Sequence, residues 1–491
     1  MKTAERRVNS VEQKLNQIIE KLRKDFNVPS IMVSVHKDGK TFFCGGGLAD
    51  IENNHEATPD TIYGVASVSK SFTATALCIL ADEQKLCLDD TVKKYLPDFR
   101  MHDVYRTENL TIRDALGHRS GLARYDLTWL HRQDITMYDF VRNLQYLPAT
   151  FPMRARMHYQ NHMFALASVI AEKVSDKSWD DLLKEKILDP MGMTSTFTKA
   201  AEYRGKNLTN ASQPYDFIDG KHKKMSTYYI FDHMGGAAAM SSTVRDLDKW
   251  ARLHLGKGEF EGRRIFSEEM AKNLHNPQMI IKAKELTSYE FDEIDFTSYG
   301  QGWAVESYRG HKYVHHGGTI DGYRSLVGFL PKDSIAFSVL TNLNRNDAST
   351  ALGYYICDLS LGLSEIDWGA RFLDVMNSVK EGSEQILNEY RQKAKSAAPP
   401  THPLCEYAGV YEHDAYGQFE IYLQENALFV DIAGYKSPVI SYGYNNFYVE
   451  FPRYQAFCPT LKFDYDIDGK VCKAIAKLDA IAESIELRRV K

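Results

Sequence analysis

Two hydrophobic periods follow each other at the start of the chain. Apolar residues first recur at steps of three and four, at Val8, Val11, Leu15, Ile18 and Leu22. This spacing predicts one buried face of an amphipathic helix. Residues 31–36 then alternate between apolar and polar, Asp38-Gly39 is a hairpin turn signal, and residues 41–44 return as a second strand. The chain is therefore predicted to open as helix, strand, strand.

The middle of the chain changes from helical to strand-like patterning. Residues 70–200 are mostly helical in pattern, most clearly in 71–84 and 164–173. Strand patterns follow at 303–307, 313–315, 325–330 and 335–341. Strands from both ends with helices between them predict one mixed α+β domain, whose sheet is completed by the two ends.

Two other segments of this domain also carry a pattern. Residues 279–298 are polar and acidic, and we expect an insertion or loop there. Residues 381–395 are predicted to form the last helix of the domain.

A proline-rich break divides the chain. Residues 396–403 contain Pro399, Pro400 and Pro403, which cannot continue a helix. Short aromatic strand patterns follow at 419–423, 427–432, 447–451 and 461–466. We therefore predict a mixed α+β domain over residues 1–395, a linker over 396–403, and a small antiparallel β-sandwich or barrel over 404–491.

Composition excludes several protein classes. The 491 residues are 44% hydrophobic and 25% charged, with a net charge of −5, which is typical of a soluble globular protein. This balance excludes a disordered chain and a broadly basic nucleic-acid binder. No apolar stretch is long enough for a membrane span, and residues 1–26 lack the apolar core of a secretory signal. The seven scattered cysteines favour reduced thiols in a cytoplasmic protein without a zinc site.

Ser67 and Lys70 form the first candidate for chemistry, a Ser-x-x-Lys motif. A second match, Ser34 with Lys37, falls on a predicted strand, where residues three apart point to opposite faces. Ser67 instead opens a predicted helix, so Lys70 would lie one turn further along the same face. We interpret Ser67 as a nucleophile and Lys70 as its base. The alternative is an N-cap serine beside a surface lysine.

Tyr159 and Asn161 form a Tyr-x-Asn motif. A phenol near a lysine can relay a proton, and an amide can donate to a substrate carbonyl. A second match, Tyr444 with Asn446, falls in a predicted turn of the small domain. The alternative for Tyr159 is a purely structural tyrosine at the start of a helix.

The third motif is His316-Gly317-Gly318, which follows an apolar strand. Glycines there would let the strand pass close to a substrate. The backbone N–H of Thr319 could join that of Ser67 as an oxyanion hole. His315 offers a competing register, and adjacent histidines do not have the spacing of metal ligands.

These three motifs, in this order, resemble the serine β-lactamase and penicillin-binding superfamily in its class C-like branch. The resemblance spans residues 28–345. It includes matching segments at 59–61, 63–66, 116–122, 190–193, 235–236, 299–303 and 341–342. It implies a mixed domain in which an antiparallel sheet is flanked by a helical region. The tail resembles the lipocalin-like β-barrel fused to some of these hydrolases, and we expect it to shape or cover the site.

The resemblance also implies roles for these residues. Ser67 would be acylated, with Lys70 as its base partner and Tyr159 as a second proton-transfer group. Asn161 would contact the substrate carbonyl, and His316, rather than its neighbour, would be the third-motif residue. β-Lactamases of this branch have Lys in that place. A histidine resembles the esterases, D-aminopeptidases and peptidases of the superfamily, and it would be expected to gain charge as the pH approaches ~6.

The sequence thus predicts a hydrolase that cleaves an ester or amide through an acyl-enzyme, with weak or no β-lactamase activity. Its partner would be a small-molecule or peptide substrate, with no cofactor, nucleic acid or membrane involved. No pattern sets an oligomeric state. One alternative is an acyl transferase or cyclising thioesterase, and another is a non-catalytic scaffold of the same fold.

Overall fold

A computed structural model describes residues 2–132, 134–199, 210–225, 232–282, 289–451 and 457–491. It contains one mixed α+β region followed by a closed β-barrel. The predicted fold class is confirmed.

An antiparallel sheet organises the first region. Its nine strands in the described chain are β1 (Ser30–Lys37), β2 (Lys40–Asp50), β3 (His55–Glu56), β4 (Met279–Ile281), β5 (Ile294–Tyr299), β6 (Ala304–Tyr308), β7 (His311–Ile320), β8 (Tyr323–Leu330) and β9 (Ile335–Thr341). Their order across the sheet is β4-β5-β6-β7-β8-β9-β1-β2-β3. The N-terminal hairpin joins the later strands because β1 pairs with β9, with Val33 opposite Val339. Both ends of the region therefore complete one sheet, as predicted.

Helices cover both faces of this sheet. The longer ones are α1 (Lys2–Asp25), α2 (Ser69–Asp82), α3 (Asn161–Ser175), α4 (Val244–Leu255), α5 (Glu268–His275), α6 (Ala348–Leu361) and α7 (Trp368–Lys395). Shorter helices lie at Val92–Tyr95, Val104–Asn109, Ile112–Leu116, Leu127–Leu130, Met137–Arg142 and Trp179–Leu183. Alternate residues of β9 enter two cores: Val339 packs with α1, α6 and α7, whereas Leu340 packs with α2, α3 and α4. The second core carries the candidate site.

Several predicted boundaries were wrong. The strand predicted at 313–315 is the ten-residue β7, because its glycines stay extended and pair with β8. The helix predicted at 381–395 begins at Trp368, where the Asp367 side chain caps the N–H of Ala370. The segment 279–298 contributes the edge strand β4 and part of its neighbour β5, and residues 283–288 lie outside the described chain. Most residues of these two strands are half-buried or exposed, which accommodates the polar composition.

The C-terminal domain is a closed barrel. Its eight described strands are β10 (Gly409–His413), β11 (Gly417–Gln424), β12 (Ala427–Ile432), β13 (Tyr435–Gly443), β14 (Asn446–Val449), β15 (Thr460–Tyr465), β16 (Val471–Lys477) and β17 (Ile485–Arg489). Buried aromatic side chains fill its interior, among them Tyr407, Phe447 and Phe463. Across the described ranges of both domains, no helix has the length and apolarity needed to cross a membrane.

Candidate active site

Ser67 lies in a single 3-10 turn, Ala66–Val68, immediately before α2 begins. The sequence placed this serine at the start of the helix itself. Ala66 has a φ of +48°, a left-handed conformation that is strained for a residue with a Cβ atom. The turn is held in place because the carbonyl of Val65 accepts a hydrogen bond from Ser325 Oγ at 2.7 Å. Ser67 is half-buried, whereas both neighbours are buried.

Lys70 is completely buried, and its amine has three polar neighbours. Its Nζ lies 3.1 Å from Ser67 Oγ, 2.7 Å from Asn161 Oδ1 and 2.7 Å from the carbonyl oxygen of Ala237. Burial lowers the pKa of Lys70 well below its ordinary value, and the positive charge of Arg124 adds to this effect.

The three neighbours fix the direction of the lone pair on the neutral amine. A neutral amine has two N–H donors and one lone pair. The oxygens of Asn161 and Ala237 can only accept, so they take the two N–H groups. The lone pair is then directed at Ser67 Oγ and can accept its proton. This geometry equips Lys70 as a general base.

Tyr159 lies beside both Ser67 and Lys70. Lys70 Nζ is 4.8 Å from the centroid of its ring, and its hydroxyl is hydrogen-bonded to Ser67. Burial raises the pKa of Tyr159, and the hydrogen bond with Ser67 only partly opposes this. The phenol therefore keeps its proton at neutral pH and can donate it to a leaving group.

Asn161 is the first residue of α3 and links Lys70 to Asp126. Its Oδ1 accepts from Lys70, and its Nδ2 donates to Asp126 Oδ1 at 3.4 Å. The sequence assigned this amide to a substrate carbonyl. In the structure it holds the amine of Lys70 in place.

The edge of β7 comes beside the serine. The pairing of β6 with β7 ends at Ala304 opposite His315, so the following residues of β7 pair with β8 alone. This free edge packs against the Ala66–Val68 turn. A Cβ atom on Gly318 would lie 2.1 Å from the carbonyl oxygen of Val65, so only glycine fits. The close approach brings the backbone of Gly317 to Thr319 next to Ser67.

His316 points into the site, but both of its ring nitrogens are engaged. Nδ1 lies 2.7 Å from the carbonyl oxygen of Gly317, and Nε2 lies 2.8 Å from the hydroxyl of Tyr299. The carbonyl can only accept, so Nδ1 carries the proton and Nε2 accepts from Tyr299. His315 lies on the opposite face, where its Nε2 is 3.2 Å from Glu306.

One expectation about His316 is therefore wrong. Burial, together with the nearby Lys70, lowers the pKa of His316 to about 3. The ring does not gain charge near pH 6, because the protonated form would lose its solvation in the buried site. In this geometry the neutral ring accepts the hydrogen bond from Tyr299.

Sequence reasoning assigned no role to four residues around these groups. His118 lies between Tyr159 and Tyr299, with ring centroids 4.4 and 4.7 Å away, and burial lowers the pKa of His118. Arg124 lies 5.2 Å from the Tyr159 ring and donates to Asp126 at 2.7 Å. His118 and Tyr299 fall inside segments 116–122 and 299–303 of the family resemblance, and this position could have marked them as site residues. Nothing in the sequence pointed to Arg124 or Asp126.

This fold and this arrangement define a class. The chain belongs to the β-lactamase family, whose model matches residues 15–357. The model of a domain of unknown function, DUF3471, matches residues 393–489. The resemblance found in the sequence is thereby confirmed.

Individual relatives make the comparison more specific. The unguisins hydrolase ungD' of Aspergillus campestris is 30% identical over 450 residues, which are 86% of this chain and 80% of that protein. The octameric penicillin-binding protein homologue from Pyrococcus abyssi superposes with a TM-score of 0.63 and 22% identity, over 97% of this chain and 99% of that one. The D-amino acid amidase from Ochrobactrum anthropi superposes with a TM-score of 0.59 and 20% identity, over 72% of this chain and 98% of that one. The chain thus stands among hydrolases of the β-lactamase fold.

Proposed function

We propose that this chain is a serine hydrolase that cleaves an amide or ester bond through an acyl-enzyme on Ser67. The observation that carries the proposal is the amine of Lys70, which Asn161 and Ala237 orient toward Ser67 Oγ. A lysine that is buried without a carboxylate partner at its amine suits proton transfer better than structural support.

The first step forms the acyl-enzyme. Ser67 Oγ attacks the substrate carbonyl while its proton moves to Lys70 Nζ. The backbone N–H groups of Ser67 and Thr319 hold the resulting oxyanion, since the edge of β7 lies beside the turn. The bond to the leaving group then breaks, and Tyr159 donates the proton that the leaving nitrogen or oxygen needs. Lys70 then passes the proton that it took from Ser67 to Tyr159, which restores both groups.

The second step releases the acid. Water attacks the acyl carbonyl, one water proton passes to the Tyr159–Lys70 pair, and the ester bond to Ser67 Oγ breaks. The serine recovers its proton from the same pair. An amine can also take the acyl group from Ser67 in place of water. Product analysis with and without an added amine therefore separates hydrolysis from acyl transfer.

Amides next to D-residues are the substrates we favour. The support comes from similar proteins, namely an unguisins hydrolase, a D-amino acid amidase and a D-stereospecific amidohydrolase from Streptomyces. The buried neutral His316 adds to this, because it supplies no fixed cation for the carboxylate of a β-lactam. We therefore place β-lactam turnover well below that of amides and activated esters.

The test is active-site labelling followed by a substrate panel. Intact-mass analysis after a fluorophosphonate should show one adduct, mapped to Ser67 and lost in Ser67→Ala. Ser334→Ala is the control, because this exposed serine lies at the far end of β8 from Thr319. Rates on paired D- and L-amino acid amides and on a p-nitrophenyl ester then show whether the enzyme prefers amide or ester bonds and D- or L-residues. Equal labelling of Ser67→Ala would overturn the proposal, and wild-type protein that is not labelled would favour the scaffold alternative.

A further inference from the structure

The segment 122–132 lies between the barrel and the catalytic residues. On the barrel side, the backbone N–H of Tyr125 donates to Asp479 Oδ2 at 3.1 Å. The ring of His131 stacks on Phe419 with centroids 4.4 Å apart and an interplanar angle of 7°. His131 also donates from Nε2 to the carbonyl of Gln418 at 2.7 Å.

The same segment reaches the catalytic residues on its other side. Arg124 lies over the ring of Tyr159, and Asp126 accepts from the amide of Asn161. These two charged residues are joined to each other by the 2.7 Å hydrogen bond from Arg124 Nε to Asp126 Oδ2. Tyr125, which the barrel holds, is the residue between them.

We propose that the barrel acts on the active site through the segment 122–132, with Asp479 as a positioning residue that fixes Tyr125 and thereby sets Arg124 and Asp126 against Tyr159 and Asn161. The inference deepens the proposed function and rests on it. Asp479 supplies no atom to the reaction.

The loop that carries Asp479 is prepared for this contact. Asp479 lies between β16 and β17, and its Oδ1 accepts from the backbone N–H groups of Ile481 and Ala482 at 3.0 and 3.2 Å. The carboxylate is thus oriented by its own loop, and Oδ2 remains for Tyr125. A contact formed by a preorganised acceptor loses little entropy, so it can hold the segment at low cost.

The placement matters for catalysis because of charge. The titratable groups that face Lys70 are Tyr159, His118, His316, Arg124 and Asp126. Tyr159 and the two histidines are neutral near pH 7. Of the two charged groups, Arg124 disfavours the protonated amine more than Asp126 favours it. A segment that moves away would therefore raise the pKa of Lys70 and shift the acidic limb of the rate profile to higher pH.

The first test measures fluorophosphonate labelling of Ser67 against pH in the full-length protein. Asp479→Ala should label roughly 2- to 30-fold more slowly, with its acidic limb at higher pH. Asp468→Ala is the matched control, because this exposed aspartate lies in the turn at the opposite end of β16. Asp479→Asn, which retains one acceptor oxygen, should give a smaller effect and replaces the alanine variant if that one does not fold.

A double-mutant cycle shows whether Asp479 acts through the segment. Arg124→Gln alone should move the acidic limb further than Asp479→Ala does. In the Arg124→Gln background, Asp479→Ala should then add little to that shift, because both changes act on the same charge. Additive shifts, or an effect no larger than that of Asp468→Ala, would overturn the inference.

Hydrogen exchange tests the contact independently of activity. Asp479→Ala should speed exchange across residues 122–132 while β10 to β17 stay protected. Unchanged exchange there would also overturn the inference. If wild-type protein is not labelled at Ser67, the proposed function fails, and the exchange result still decides whether the barrel holds this segment.

Discussion

The Nζ atom of Lys70 lies 3.1 Å from the Oγ atom of Ser67, across the junction between a 3-10 turn and α2. Side chains on a helix point back toward its N-terminal end, which is where Ser67 lies. Local backbone geometry therefore builds this pair. Asn161 and Ala237, which hold the other side of the amine, come from distant parts of the chain.

Lys70→Arg should slow acylation strongly, because it replaces the neutral amine with a permanently charged group. Arginine stays protonated in proteins, so it has no lone pair to accept the proton of Ser67. We expect the labelling rate to fall by about 10²-fold or more. Lys332→Arg, at an exposed position in the β8–β9 turn, should label like wild type. A labelled and active Lys70→Arg enzyme would show that the lysine acts only through its charge.

Tyr159→Phe should slow turnover of amides more than that of activated esters. The phenol donates a proton to the leaving group, and an amine leaving group needs that proton more than a nitrophenolate does. The expected loss on an amide is about 10²-fold. Tyr444→Phe, in the other Tyr-x-Asn of the chain, is the control at an exposed turn. Full amide activity in Tyr159→Phe would leave this tyrosine with a structural role.

Two adjacent glycines in β7, Gly317 and Gly318, should differ sharply in how well they tolerate substitution by alanine. A Cβ atom at Gly318 meets the carbonyl of Val65 at 2.1 Å, whereas at Gly317 the nearest atom is the carbonyl oxygen of Ser325 at 3.6 Å. Gly318→Ala should push β7 away from the serine and lower the labelling rate by about 10²-fold, the cost of a lost oxyanion donor. Gly317→Ala should stay within a few-fold of wild type. Equal effects of the two changes would remove the argument for an oxyanion hole at this edge.

The preference for esters over β-lactams should not narrow between pH 8 and pH 6. The pKa of His316 is about 3, so this ring stays neutral throughout that range. The missing charge-assisted hydrogen bond is worth roughly 1–3 kcal/mol, or about 5- to 150-fold in affinity for a carboxylate. Nitrocefin and a p-nitrophenyl ester, measured side by side at both pH values, give the ratio. Fast nitrocefin hydrolysis at pH 8 would contradict the charge argument.

Buried histidines should make the fold sensitive to acid. Burial lowers the pKa of His162 to about 3, so the unfolded chain, with a pKa near ~6.5, binds the proton first. Stability is thus fully present above pH ~6.5 and is lost as the pH falls toward 3. His162→Phe keeps the stacking on Phe140. Between pH 7 and 4.5, its midpoint of denaturant unfolding should fall less than that of the wild type. Exposed His55→Phe should retain the wild-type pH dependence.

Sequence alone could reach the local parts of this site. Ser67 and Lys70 are three residues apart at a helix start, and the physics of one helical turn brings them together. The resemblance supplied Tyr159 and His316. Arg124 and Tyr299 were not assigned roles, because their contacts arise from how distant segments pack.

The predicted start of α7 was wrong for a related reason. The pattern of residues 368–380 did not reveal a helix, yet α7 begins at Trp368, where tertiary contacts bury the first residues of the helix. The charge of His316 was also misjudged from its residue type. An imidazole in water titrates near ~6.5, but burial beside Lys70 lowers its pKa far below that value.

The order of strands in the sheet has a consequence for the newly made chain. Strand β1 lies between β2 and β9, and Ile31 pairs with Thr341. A ribosome adds about 5–20 residues per second, so the edge of β1 waits roughly 15–60 s for its partner to be synthesised. During that time the β1–β2 hairpin presents the unpaired backbone N–H and C=O groups of β1, together with its apolar side chains, to other nascent chains. Vectorial synthesis therefore delays completion of this sheet, and any chain that terminates before residue 335 keeps that edge open permanently.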